Sequence, residues 1–169
     1  VTVTSLLLPI AFLLLVLTGG IFDFLTQRIP NLLVLTLAGL FVPAAVIGMP
    51  VTSLASHGLT GLGLLLIGYL FFARGYFGAG DAKFIAAIGL WLGPHLLIPF
   101  VLMTAIMGGV FAFIYLIWFT IQYESEVRGL SFAARLAKIR PKDMPYGPAI
   151  AAGAFLACQN AGWAFWPGP

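Results

Sequence analysis

Charge is what this chain has least of. Only 8% of its 169 residues are Asp, Glu, Lys or Arg, 62% are hydrophobic, and the mean hydropathy is +1.10. Soluble domains carry roughly 25% charged residues, so most of this surface is not built to meet water. Cysteine is nearly absent. Cys158 alone excludes an internal disulfide and any CxxC zinc or redox motif within one chain. Histidine is limited to His57 and His95. No basic, aromatic-interleaved patch occurs, so no nucleic-acid partner is expected. The excess of 8 Lys and Arg over 5 Asp and Glu, +3 in all, is a matter of loop topology.

What is abundant is long apolar sequence. Crossing about 30 Å of hydrocarbon takes roughly 20 helical residues, and backbone groups in lipid must be satisfied internally. Six segments qualify, near residues 4–22, 31–49, 58–73, 81–92, 95–120 and 146–166. The expected fold class is therefore all-α, a polytopic membrane protein of about six transmembrane helices forming one domain over residues 1–169. Residues 81–92 are short for a span, and parity decides how to count them. If they cross, Arg28, Arg74, Lys83, Arg128, Arg135, Lys138, Arg140 and Lys142 all fall on one side, as the positive-inside bias requires. If they turn back, the basic 121–145 stretch faces outward. We therefore expect a short crossing ended by Gly93-Pro94, with both ends of the sequence outside and residues 5–22 retained as a first span. Within 121–145, Phe132, Leu136 and Ile139 recur at helical spacing beside Arg135 and Lys138. That pattern fits a segment lying on anionic headgroups or a solvated loop that only fixes topology. Clustered Gly and Ala in the third, fifth and sixth segments suit close helix packing.

Against this background two acids stand out: Asp23, where the first apolar run ends, and Asp81, inside Gly78-Ala79-Gly80-Asp81. A carboxylate in a membrane helix costs about 3 kcal/mol at the bilayer centre, less near the ends, and usually marks function. The expected topology gathers both at one membrane face. Two facing carboxylates do not both ionise cheaply; they share a proton, one serving as base and the other as acid. This is the equipment for activating a water against a peptide carbonyl without a covalent intermediate. His57 and His95 fall near the opposite face and cannot complete a triad or a metal site with these acids; no metal and no cofactor is expected. Cys158 is expected to be packed and inert. The bland alternative is that Asp23 ends a helix near Arg28 and Asp81 begins one as a cap. Gly78 and Gly80 tip the balance, because they leave backbone uncovered where an extended peptide approaches. A second functional class, a small proton- or cation-coupled transporter using the same aspartates, is disfavoured because such sites usually lie mid-membrane at a repeat interface and no repeat is evident.

Asp23 followed by Arg28-Ile29-Pro30-Asn31, then Gly78-Ala79-Gly80-Asp81-Ala82-Lys83, Leu90-Trp91-Leu92-Gly93 and Pro145-Tyr146-Gly147-Pro148, resembles the type IV prepilin peptidases over roughly residues 15–160. Within them it resembles the small, single-function branch serving Flp-type, tight-adherence pili. The resemblance implies a GxGD aspartyl endopeptidase of the bacterial inner membrane that cuts the leader from prepilins after a glycine at the cytoplasmic face. It implies Asp23 and Asp81 as the catalytic pair, with Gly78, Gly80 and Lys83 as the rest of the motif. Larger members carry a cysteine-containing insertion and methylate the new N-terminus; here there is no cysteine quartet, so peptidase activity without methyl transfer is expected. Lys83 admits two roles, a charge acting on the acids or substrate and an anchor reaching for headgroups. Glu124, Glu126 and Asp143 on the same side are candidate contacts for a cationic leader. An intramembrane protease of the presenilin or signal-peptide-peptidase kind shares GxGD, but six short spans and an aspartate outside the usual YD context count against it.

Overall fold

A computed structural model of the chain describes residues 3–48, 51–76, 78–122, 129, 131, 133–134 and 144–160. Those residues form α1 (Val3–Thr26), α2 (Asn31–Gly48), α3 (Val51–Ala73), α4 (Ala79–Gln122) and α5 (Gly147–Asn160), with no strand among them. The protein is all-α. Leu7–Thr26, Leu54–Ala73 and Ala79–Gln122 are long and apolar enough to cross a bilayer, and Asn31–Val46 and Gly147–Gln159 are shorter apolar helices.

The 44 residues of α4 would measure about 66 Å if straight, twice a bilayer. They do not run straight. Gly93 takes φ 64 and ψ −171, outside helical geometry, and divides α4 into residues 79–92 and 94–122. The cause is local. Glycine alone adopts this backbone region without strain, and Pro94 has no amide to continue the ladder. In an unbroken helix the Pro94 amide would bond the Leu90 carbonyl. That acceptor is met instead by His57 of α3, whose Nδ1 lies 2.9 Å away.

Pairwise contacts give the direction of each pass. Along the first half of α4, Trp91 meets Phe12 of α1 at 5.2 Å between rings, and seven residues back Phe84 packs on Gly19, so these two helices are antiparallel. Likewise α3 descends beside it, from His57 against Gly93 to Gly68 against Ala82. In contrast α2 runs parallel, from Asn31 at Lys83 to the Leu37 carbonyl, which accepts from Trp91 Nε1 at 2.7 Å. The second half of α4 returns along α5, Thr104 opposing Gly153, and Met107 and Phe111 sharing a cleft with Pro148 and Ala151. The described residues thus make six alternating helical passes, the expected number.

The bulkiest fully buried core side chains are Trp91, Phe12, Phe84, Phe100, Leu37, Ile88, Ile150 and Val16, all below 2% exposure. Equally apolar side chains face outward: Leu32, Leu25 and Val46 are more than 70% exposed. A water-soluble protein cannot sustain so broad an apolar exterior, and in lipid it carries no such cost.

Several boundaries differ from the sequence expectations. α1 continues past residue 22, so Asp23 lies inside its last turn and not in a linker. α3 begins at Val51 and not at 58. Residues 135–143, with most of the proposed amphipathic 121–145 segment, lie outside the described residues, as do Glu124, Glu126 and residues 161–166 of the sixth segment.

Candidate active site

α1 ends in a left-handed cap. Gln27 adopts φ 52 and its amide donates to the Asp23 carbonyl at 2.8 Å, a bond closing the last turn around the aspartate. Thr26 Oγ1 bonds the Phe22 carbonyl at 2.7 Å and the Arg28 carbonyl at 3.1 Å, tying the chain that leaves the helix back to it. Pro30 then opens α2, its carbonyl accepting from Leu33 and Val34. This turn carries Arg28 and Ile29 past the carboxyl group.

Asp81 sits in the first turn of α4. Gly78 precedes the helix, its carbonyl taking the first helical bond from the Ala82 amide, and its own amide donates to Asp81 Oδ2 at 3.2 Å. This is the return half of a capping box, placing Asp81 at the third helical position and not at the cap itself. It also accounts for Gly78, since a Cβ there would lie 3.0 Å from the bonded oxygen. Gly80 faces Ile29 at ordinary contact distance, with room for a methyl group.

Both carboxyl groups lie at one end of the bundle. Asp23 is 5% exposed and Asp81 9%, and both line a cavity of about 660 Å³ with Arg28, Ile29, Tyr76, Gly78, Lys83 and Pro145 among its walls. They are close enough to act on each other electrostatically. Asp23 Oδ2 accepts the Gly147 amide at 2.7 Å, so each acid has one oxygen fixed by a backbone N–H. Among the described residues no hydrogen bond reaches either Oδ1. An acid anchored by one oxygen and open at the other is oriented and still able to exchange a proton.

Lys83 lines the same cavity, but its ammonium donates to Asn31 Oδ1 at 3.2 Å and to neither carboxylate. Gly78 and Gly80 border the cavity beside Asp81. Arg28 shares that end, and Arg74 follows α3 there. His57 lies at the far end of the bundle, and Cys158 is buried in α5 well away from the acids. A second, apolar cavity of about 520 Å³ shares Asp81 with the site, has Tyr146 in its wall, and runs between α3 and the second half of α4 along Leu64, Gly68, Gly108 and Gly109.

Sequence reasoning assigned no role to Gly147 or Tyr146. Tyr146 precedes α5, its carbonyl accepting from Ile150, and it lies within electrostatic reach of Asp81. The signal was the Pro145-Tyr146-Gly147-Pro148 string, which marks a helix start without revealing that the start abuts a residue 124 positions earlier.

Six alternating helical passes with an apolar exterior, and two buried acids facing one cavity at a single end, define a polytopic membrane protein with a carboxylate-pair site. Over residues 10–113 the sequence matches the type IV leader peptidase family, and the chain belongs to that family. It is accordingly a leader peptidase-like protease, and its family implies a pilin-like precursor as substrate. No curated protein and no solved structure matches it.

Proposed function

We propose that this protein is an aspartic-type endopeptidase that removes the leader from a type IV or Flp pilin-like precursor after a glycine, using Asp23 and Asp81 to activate water. One observation carries the proposal: two buried carboxyl groups from α1 and α4 share one cavity, each tethered through Oδ2. With one acid ionised and the other protonated, the ionised member takes a proton from a water between them while that water attacks the peptide carbonyl. The protonated member donates to the carbonyl oxygen, giving a gem-diol; as its C–N bond breaks, the proton gained by the first acid passes to the departing amine and the second acid takes a proton back from a gem-diol hydroxyl, leaving a carboxylic acid. The pair ends with one proton, as it began. No protein nucleophile is consumed and no cofactor enters.

Arg28, Arg74 and Lys83 crowd the same end, and the positive-inside bias supports reading it as the cytoplasmic face. The apolar cavity meeting Asp81 suits the hydrophobic segment that follows a leader, and Gly108 and Gly109 offer it backbone with open space beside them. The absence of a cysteine quartet supports peptidase activity without methyl transfer. Both acids occupy helix ends rather than mid-helix positions, which suits a surface-cutting protease better than a proton-coupled transporter.

Co-expression with a prepilin tests this directly. The precursor is expected to shorten at its glycine with the unmutated protein and to stay intact with Asp23→Asn or Asp81→Asn. Wild-type cleavage by either variant removes that residue from the mechanism; an intact precursor beside unmutated protein removes the substrate class.

A further inference from the structure

We infer that Gly147 is a positioning residue for Asp23, making the start of α5 a third structural arm of the site beside α1 and α4. The inference rests on the peptidase reading for its kinetic consequence but not for the contact itself.

The two acids are held in different ways. Asp81 is tethered by Gly78, three residues away, so its own helix start fixes it. Asp23 is tethered at 2.7 Å by an amide from another helix, and its position depends on the docking of α5. Three features make that docking strict. Gly147 is the first residue of α5, and the amides of a first turn have no partner within the helix; this one is spent on the carboxylate. Pro148 contributes no amide and fixes its own φ, so the neighbouring position offers no substitute donor. Finally, a Cβ on Gly147 would lie 2.5 Å from Asp23 Cβ and 2.9 Å from Oδ2. Any side chain must push α5 and the carboxyl group apart. Gly20, one turn before Asp23, repeats the restriction more gently: its Cβ would meet Ala151 Cβ at 2.9 Å and the Gly147 carbonyl oxygen at 3.2 Å. The α1–α5 seam is therefore glycine on both sides where it sets the acid.

The test uses the full chain and a pilin-like precursor in phospholipid vesicles. Gly147→Ala is expected to lower kcat about tenfold to a hundredfold, the scale of an ångström-sized misplacement, with KM within about twofold, because substrate still meets the other walls. Gly20→Ala is expected to lower kcat less, in the same pattern. A merely structural glycine would reduce the amount of folded protein and leave kcat per folded molecule unchanged. Melting curves supply a readout independent of cleavage: Gly147→Ala is expected to lower the midpoint in the wild-type background and to have no further effect once Asp23→Gly has removed the obstructing side chain. If Gly147→Ala fails to fold while Asp23→Gly/Gly147→Ala folds, the contact is equally supported. A kcat within about twofold of wild type, or the same loss of midpoint in both backgrounds, overturns the inference while leaving the peptidase reading intact. If the unmutated protein does not cut the precursor, that reading falls and the melting cycle still decides the contact.

Discussion

The two ends of the bundle contain the same dipeptide and treat it oppositely. At one end Gly93-Pro94 breaks α4; at the other Gly147-Pro148 opens α5. In each case a polar side chain from another helix meets the exposed backbone, His57 at the Leu90 carbonyl and Asp23 at the Gly147 amide. In each case the glycine is required by space, a Cβ coming within 2.4 Å of the His57 ring or 2.5 Å of Asp23. The difference lies in what remains. His57 is 6% exposed, stacked on Phe41 at 5.8 Å and pressed against Gly93, so its bonding serves the fold. Asp23 gives one oxygen to the backbone and turns the other side of its carboxyl group to a cavity shared with Asp81. In an apolar medium, a polar group absorbed by its neighbours is structural and one with capacity left over is a candidate for chemistry.

That contrast implies mutations with separable effects. The largest is at the carboxylate end. Asp23→Asn and Asp81→Asn each keep an oxygen able to accept the backbone N–H, so folding is expected to persist while cleavage falls by about a thousandfold or more, roughly 4 kcal/mol of transition-state stabilisation. Turnover of precursor by purified variants, beside their melting midpoints, checks both halves. A variant that lost stability and activity together would make the aspartate a cap and nothing else.

The histidine end is expected to behave in reverse. Gly93→Ala places a side chain at φ 64 and into the His57 ring, combining backbone strain with overpacking for about 2–3 kcal/mol of stability. Slightly smaller is His57→Ala, which leaves the Leu90 carbonyl without its donor and opens a gap beside Phe41, for about 2 kcal/mol. Both are measured by thermal unfolding in detergent. Precursor turnover per folded molecule is expected to stay within about twofold of wild type, since the break lies a full helix length from the acids.

How much of this was legible in the sequence follows from the range of each interaction. Six passes are readable because hydropathy and the Gly93-Pro94 signal are local, and the parity of basic residues puts Asp23 and Asp81 at one end from sequence alone. Asp81 was read as a possible cap and turned out to occupy the third position of its helix, an error of geometry that leaves the bonding idea intact. The N-terminal limit of α3 was missed because Thr52, Ser53, Ser56 and His57 lower hydropathy without breaking a helix. Gly147 is not legible as a site residue, since nothing in Pro145-Tyr146-Gly147-Pro148 announces a partner in the first helix. Long-range pairings of backbone with side chain leave no periodic trace.

The smallest expected effect concerns Lys83, for which the sequence left two roles open. A cation controlling the acid pair would need to approach a carboxylate, whereas the Lys83 ammonium reaches across to Asn31 at the start of α2 at 3.2 Å, and the residue is exposed. An exposed pair of this kind is worth less than about 1 kcal/mol. Lys83→Gln keeps an amide donor for Asn31 while deleting the charge, so the expected change in kcat/KM is within about threefold, with no loss of folded protein. Lys83→Met, which deletes the bond as well, should cost slightly more stability and no more activity. A fall of about tenfold with Lys83→Gln, concentrated in kcat, would show that the ammonium acts on the acids during turnover; the same fall concentrated in KM would make it a substrate contact. Either outcome would move Lys83 from the packing of α2 against α4 into the chemistry of the cavity and enlarge the working end of the bundle by one residue.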